Sequence, residues 1–312
     1  MTSLESNVDA AEATLNGRWR LDGTWEYHRP KKKLPRWLSR ILIVIASFVG
    51  LYLAIVVGTF VFQNHLIYFP DRATPPPAAE VLPDAEDVTL HTADGLELGA
   101  WWATPPAHIE NRNQVVLYAG GNAGNRYGRS PLVFFLTQRG FEVLSFDYRG
   151  FGGNPGSPSE EGLVLDAQAA LVEVKARGFA PEQIIYFGES LGAAVVARLA
   201  VDNPPGGLVL RSPFTSLDAV ASWHFPFLPT SLLLRDHFPV AELMPQVTAP
   251  VVVLYGLSDM TVPHQQSSLV ARLSPTLVRE SPWGAGHNDS MWWGIHVAET
   301  VVWLGDYLRA LG

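Results

Sequence analysis

No cysteine occurs in the 312 residues. That absence excludes disulfides, thiolate nucleophiles and cysteine-built zinc sites, and it fits an oxidising compartment as readily as a reducing one. Basic residues thin out after the first forty positions, where eight Lys/Arg face five Asp/Glu; residues 41–312 hold fourteen basic and twenty-five acidic side chains. The bulk of the chain therefore carries no nucleic-acid footprint. Phosphate-loop signatures are missing too, since no Gly-x-x-x-x-Gly-Lys-Ser/Thr is present and residues 150–156 do not keep the Gly-x-Gly-x-x-Gly spacing,. Nor do His224, His264 and His296 show metal-ligand spacing,. Neither a metal nor a cofactor is expected.

Charge is absent altogether from Ile41 to Phe62, a run of 22 apolar or small residues. At about 1.5 Å per residue a helix of that length crosses the roughly 30 Å hydrocarbon core of a bilayer. A signal peptide would have a shorter apolar region and a small-x-small cleavage site close behind it, and a buried core helix is the less favoured reading of a run apolar on every face. Arg29, Lys31, Lys32, Lys33, Arg36 and Arg40 precede the run, whereas Arg72 is the one basic residue between it and Arg112. The positive-inside rule then places the N-terminus in the cytosol and everything after Phe62 outside it, in the periplasm of a Gram-negative cell. The organisation expected is a basic tail over 1–40, aperiodic and mobile up to about residue 30, a transmembrane helix over 41–62, and a proline-rich connector over 63–85 that stands the next domain off the membrane. A catalytic domain over 86–312 follows.

From Val88 onward the pattern changes to short β-prone runs taking turns with helical spacing. Residues 88–92 and 96–102 alternate around Ala93-Asp94-Gly95 as a hairpin does,. Strands are expected over 115–118, 143–146, 184–187, 208–210, 251–255 and 276–280, with helices such as 163–177 and 191–200 between them. That order argues for an α/β domain with a mainly parallel sheet covered on both faces. Functional groups then gather at the carboxyl ends of the strands.

One such end carries Gly188-Glu189-Ser190-Leu191-Gly192 between a β-branched run and an alanine-rich helical pattern. This is the pattern of a nucleophile elbow, a strained turn that pushes a serine hydroxyl out of the sheet. A serine hydroxyl needs a base, and the base an orienting acid. After the strand 251–255 comes Asp259, the candidate acid; after 276–280 comes a glycine-loosened loop with His287, the candidate base. Ser190, Asp259 and His287 follow the chain order nucleophile, acid, histidine. Asp289 is the rival acid, although its closeness to His287 in sequence suits it to shaping the loop. For the oxyanion the backbone N–H of Leu191 and of Asn122, in the glycine-rich loop 119–125, are the candidate donors.

These motifs, with Gly120-Gly121-Asn122-Ala123-Gly124-Asn125, Asp147-Tyr148-Arg149-Gly150-Phe151-Gly152, Ser212-Pro213-Phe214-Thr215-Ser216 and Gly286-His287-Asn288-Asp289, resemble the α/β-hydrolase branch related to yeast bud-emergence proteins and serine aminopeptidase-like hydrolases. The likeness covers about residues 66–311 and implies an α/β-hydrolase fold with a mostly eight-stranded sheet and one N-terminal membrane anchor. Gly120 departs from it, because the family usually has histidine there. Within the likeness Asp147 and Arg149 are structural. The segment 214–249, rich in aromatics and leucine, is either a lid or acyl-binding wall near Ser190 or ordinary packing, and His224 has no assigned role. The function expected is a membrane-anchored serine hydrolase acting on a small or lipid-derived ester or thioester through an acyl-enzyme. A serine peptidase and a catalytically silent membrane scaffold are the alternatives.

Overall fold

The computed structural model of the chain describes residues 17–27 and 34–311. Arg29, Lys31, Lys32 and Lys33, and most of the segment expected to be a mobile tail, lie outside the described residues. The chain separates into two units, residues 1–55 and 56–312. In the first, Gly17–Trp19 and Trp25–Tyr27 pair as an antiparallel hairpin. Its turn places Gly23 at φ 81° and lets the Asp22 carboxylate accept the Thr24 N–H at 3.0 Å. Turn chemistry specifies this element, and a three-residue strand is too short to show alternation in sequence.

The first long helix, α1, is Arg36–Ile67. Among the described residues it is the one helix long and apolar enough to cross a membrane. It runs past the uncharged stretch by more than a turn, and its last turns belong to the second unit, where Gln63 and Ile67 are buried. The chain that follows differs from the expected spacer. Phe69 N–H donates to the Asn122 carbonyl at 2.8 Å, Asp71 N–H to the Gly124 carbonyl at 3.1 Å, and the Asn122 side chain to the Ile67 carbonyl at 2.7 Å. Phe69–Pro70 thus pairs in parallel with Ala123–Gly124. The prolines stiffen residues 75–77, but residues 67–71 offer backbone groups to a loop whose own backbone also needs partners, and pairing satisfies both.

Eight strands form the main sheet: β1 Ala85–His91, β2 Glu97–Ala103, β3 Val115–Ala119, β4 Glu142–Phe146, β5 Ile184–Glu189, β6 Gly207–Arg211, β7 Val251–Gly256 and β8 Leu277–Trp283. Their order is β8-β7-β6-β5-β3-β4-β2-β1, antiparallel at β1–β2 and β2–β4 and parallel elsewhere. The parallel connections carry α2 Ser130–Thr137, α3 Glu160–Ala176, α4 Leu191–Asp202, α5 Leu217–His224 and α6 His264–Leu273, and α7 Ile295–Leu311 closes the chain.

Both faces of the sheet are buried, which is why the central strands are apolar without alternation. Val115, Leu117 and Ala119 of β3 face a core shared with Leu163, Val195 and Val270 of α3, α4 and α6. Val116 and Tyr118 face the other core, with Leu132 of α2 and Val301 of α7. The two layers of helix fix the strand ends, and those ends fix the site.

Candidate active site

β5 is fully buried as far as Glu189, and α4 starts at Leu191, so a single residue makes the reversal. That residue is Ser190, at φ 51° and ψ −113°, a conformation that costs a non-glycine residue of order 1–3 kcal/mol and is held only by well-packed surroundings,. The surroundings are visible in the flanking glycines. A Cβ on Gly188 would collide with the backbone of Gly192 and Ala193, and one on Gly192 with the carbonyl oxygens of Ala119 and Gly120. The turn closes only with both glycines, and it lies directly against the loop after β3.

The candidate acid and base are neighbours in the structure. His287 Nδ1 lies 2.6 Å from Asp259 Oδ2, with both side chains nearly buried. The other carboxylate oxygen of Asp259 accepts the N–H groups of Thr261 and Val262 at 2.9 and 2.8 Å. Burial pushes the Asp259 carboxyl up, but the hydrogen bond and charge of His287 and the two backbone donors outweigh it, so its pKa lies below the usual value,. Asp289 is placed differently. Its carboxylate accepts the Gly286 N–H at 2.7 Å and shapes the loop.

Ser190 is joined to that pair through one residue of β6. The Ser190 N–H donates to the Arg211 carbonyl at 2.8 Å, and the Arg211 guanidinium donates to the His287 carbonyl at 2.8 Å. The His287 loop is fixed from a third side by Trp292, whose indole N–H donates to the Gly286 carbonyl at 2.6 Å and whose ring stacks on Trp283 at 5.0 Å.

The buried carboxylate of Glu189 was not among the residues that the sequence motifs single out. It accepts Gly121 N–H at 2.9 Å, Tyr118 O–H at 3.0 Å, Arg129 at 2.7 and 3.0 Å, and Arg211 at 3.3 Å. One carboxylate thereby ties the glycine-rich loop, the elbow and, through Arg211, the His287 loop. Burial alone would raise its pKa, yet Arg129, Arg211 and the Gly121 N–H hold it well below the ordinary range. The signal available in sequence was a charge at each end of this pair inside apolar strands, Glu189 after 184–187 and Arg211 after 208–210. Gly120 faces the same arginine: a Cβ there would sit in ordinary contact with the Arg129 guanidinium, 3.5 Å away. Asn122 follows Gly121 directly, and its carbonyl and side chain bond Phe69 and Ile67.

Replacing Glu189 with glutamine leaves the buried Arg211 and the partly buried Arg129 without their charge partner, and is expected to cost about 3–5 kcal/mol of stability at pH 7,. The folded-state pKa is depressed, so this contribution is complete above the unfolded-state value of about 4.3 and is lost as the pH falls below it. Urea unfolding of the two proteins at pH 7 and pH 3.5 checks this. The gap should be wide at pH 7 and narrower in acid; equal stability at pH 7 would contradict the account.

Asp147 and Arg149 are engaged in ion pairs. Asp147 bonds Arg126 at 2.5 Å, and Arg149 bonds Asp166 at 2.8 Å and Asp94 at 2.7 Å. Between β6 and β7 the segment 214–249 buries Phe214, Phe238, Val240 and Met244 against the sheet while Trp223, Phe225, Phe227 and Leu232 remain exposed. It is therefore packed at its base and apolar on its outer side.

The model of the serine aminopeptidase S33 family matches residues 110–240, which include the loop after β3 and the elbow. A protein of Mycobacterium tuberculosis, Rv2307c, is 45% identical over 253 residues, 80% of this chain and 89% of its own length. The lysophosphatidylserine lipase ABHD12 of Danio rerio is 30% identical over 274 residues, 73% of this chain and 70% of its own. Among solved structures, the Pyrococcus furiosus esterase Pf2001 superposes with a TM-score of 0.61 over 79% of this chain and 98% of its own, at 20% identity, which speaks to the fold. The chain belongs to the α/β-hydrolase family, has that family's fold, and is a hydrolase.

Proposed function

We propose that the protein is a membrane-anchored serine hydrolase that cleaves a small or lipid-derived ester or thioester through an acyl-enzyme. The observation that carries this reading is Asp259 bonded to His287 Nδ1 at 2.6 Å, with Arg211 joining that loop to the strained Ser190 turn. An Nδ1–H held by a carboxylate leaves Nε2 as the base. Ser190 Oγ attacks the acyl carbonyl as His287 takes its proton, and the N–H groups of Asn122 and Leu191 receive the oxyanion. His287 then returns the proton to the leaving alcohol or thiol, and water, activated by the same imidazole, releases the acid. Asp259 keeps the imidazole oriented and stabilises its protonated form.

A lipid-derived substrate is favoured by the likeness to a lysophosphatidylserine lipase and by the apolar exterior of the 214–249 segment. The family description, a serine aminopeptidase, supports amide cleavage as the second reading. The apolar length of α1 and the basic residues before it support a single span with the catalytic domain outside the cytosol,.

Intact Gram-negative cells making the full chain test chemistry and side together. A soluble ester bearing a fixed positive charge passes outer-membrane pores but not the inner membrane. The expected outcome is its hydrolysis by whole cells, with the matching aminoacyl amide turned over at least about 100-fold more slowly. Hydrolysis that appears only after lysis would place the domain in the cytosol, and preferential amide cleavage would establish the peptidase reading.

A further inference from the structure

From Ala219 to Leu234 the chain contains no Asp, Glu, Lys or Arg. The outer side of this stretch is apolar and open: Trp223 is 51% exposed, Phe225 50%, Phe227 60% and Leu232 82%. These are not scattered side chains. The Trp223 and His224 rings lie 5.0 Å apart, His224 and Phe225 6.3 Å, and Phe225 and Phe227 6.4 Å, while the Ser222 and Thr230 hydroxyls bond at 2.5 Å and hold the two arms of the turn together. A contiguous apolar patch of this kind marks an interaction surface.

Its position says what it meets. The buried Gln63 side chain of α1 donates to the Leu233 carbonyl at 3.1 Å and accepts the Arg235 N–H at 2.8 Å, and the Arg235 guanidinium lies 4.6 Å from the centre of the Phe60 ring. Phe60 and Gln63 stand at the outer end of the uncharged run, which at about 1.5 Å per residue is about 33 Å long and fills the hydrocarbon core. Leu232 is thus one residue from a contact made at the level where an apolar helix leaves the bilayer. Tryptophan and phenylalanine on a surface held at that level are the residues that settle among headgroups.

The geometry points to a bilayer-docking surface: the Trp223–Leu232 face rests in the headgroup region of the outer leaflet of the membrane that α1 crosses. The inference rests on the reading of α1 as a membrane span. It also gives the site a source of substrate. His224 Nε2 lies 2.9 Å from the Thr261 carbonyl, and the Thr261 N–H bonds Asp259, so the docked face is two hydrogen bonds from the acid of the proposed triad. The bilayer under this face is the proposed source of the acyl lipid.

The absence of cysteine makes the test direct. Single-cysteine versions of the full chain, Ile45→Cys, Phe225→Cys, Leu232→Cys and Glu182→Cys, are labelled with an environment-sensitive fluorophore. They are then reconstituted in phosphatidylcholine–phosphatidylglycerol vesicles with or without lipid carrying a shallow nitroxide quencher. Ile45 lies inside the span, and Glu182 is exposed at the opposite end of β5 from Ser190. The expected result is quenching at Ile45, Phe225 and Leu232, at least about twofold stronger at the two patch positions than at Glu182. Quenching at Ile45 with Phe225 and Leu232 no different from Glu182 would overturn the docking surface and leave the span intact, including the case where a blue shift without quenching shows a protein covering the patch. No quenching at Ile45 would overturn the span, and the docking surface with it.

Discussion

Ser190→Ala is expected to lower kcat for the preferred ester by about 10⁵–10⁶-fold while the fold and substrate affinity persist. The magnitude follows from the division of labour in the site. In the proposed mechanism alanine removes the one atom that forms the acyl bond, yet leaves the proposed donors at Asn122 and Leu191 and the paired Asp259 and His287 in place, so residual hydrolysis by water is what remains. The turn itself is retained because its strain is held by packing: Gly188 and Gly192 allow the approach of α4 to the Ala119 and Gly120 carbonyls, and the Ser190 N–H is anchored on Arg211. Steady-state kinetics with a melting curve of each protein checks it. A loss of activity no larger than tenfold would remove Ser190 from the chemistry.

The second large effect separates two carboxylates that sit either side of His287 in sequence logic. Asp259→Asn is expected to cut kcat by about 10⁴-fold, because an amide at that position no longer fixes Nδ1–H and no longer stabilises the imidazolium. Asp289→Asn keeps an amide oxygen that can accept the Gly286 N–H, and is expected to cost about tenfold or less,. The two substitutions are isosteric, which keeps packing out of the comparison. Asp259 makes the direct 2.6 Å contact with His287 and Asp289 does not figure in it. The reverse ranking would transfer the acid role to Asp289.

These expectations were largely legible in the sequence, for a physical reason. A nucleophile elbow needs small residues at fixed offsets from the serine, and a loop after each strand needs the base and acid in one order, so local chemistry writes Ser190, Asp259 and His287 into short motifs. The sheet was readable because β3, β5, β6 and β7 are buried on both faces and appear as unbroken apolar runs. Long-range pairings were not readable. Glu189 meets Arg129, 60 residues away, and Arg211, 22 away, and no local pattern states which buried charges will find each other. The docking of residues 67–71 on the loop after β3 is hidden likewise, since backbone pairing leaves no mark on side-chain composition. Asp22-Gly23 gives the hairpin of residues 17–27 a turn, but the short strands around it give no period.

The path from Glu189 to His287 also connects folding to chemistry. Strand β6 supplies Arg211, whose carbonyl anchors the elbow and whose guanidinium holds both the Glu189 carboxylate and the His287 carbonyl. Arg211, which has no part in the proposed reaction, thus links the turn that carries Ser190 to the loop that carries His287. The glutamine substitution at Glu189 is the means of separating stability from that spacing.

The central claim is that Ser190 is the nucleophile, and its most direct measurement is the mass of the peptide that carries it after the full-length protein is treated with a fluorophosphonate. The account predicts one stoichiometric phosphonyl adduct, mapped to Ser190, abolished by Ser190→Ala and strongly slowed by Asp259→Asn. An adduct on another residue, or none on a folded protein, would contradict it.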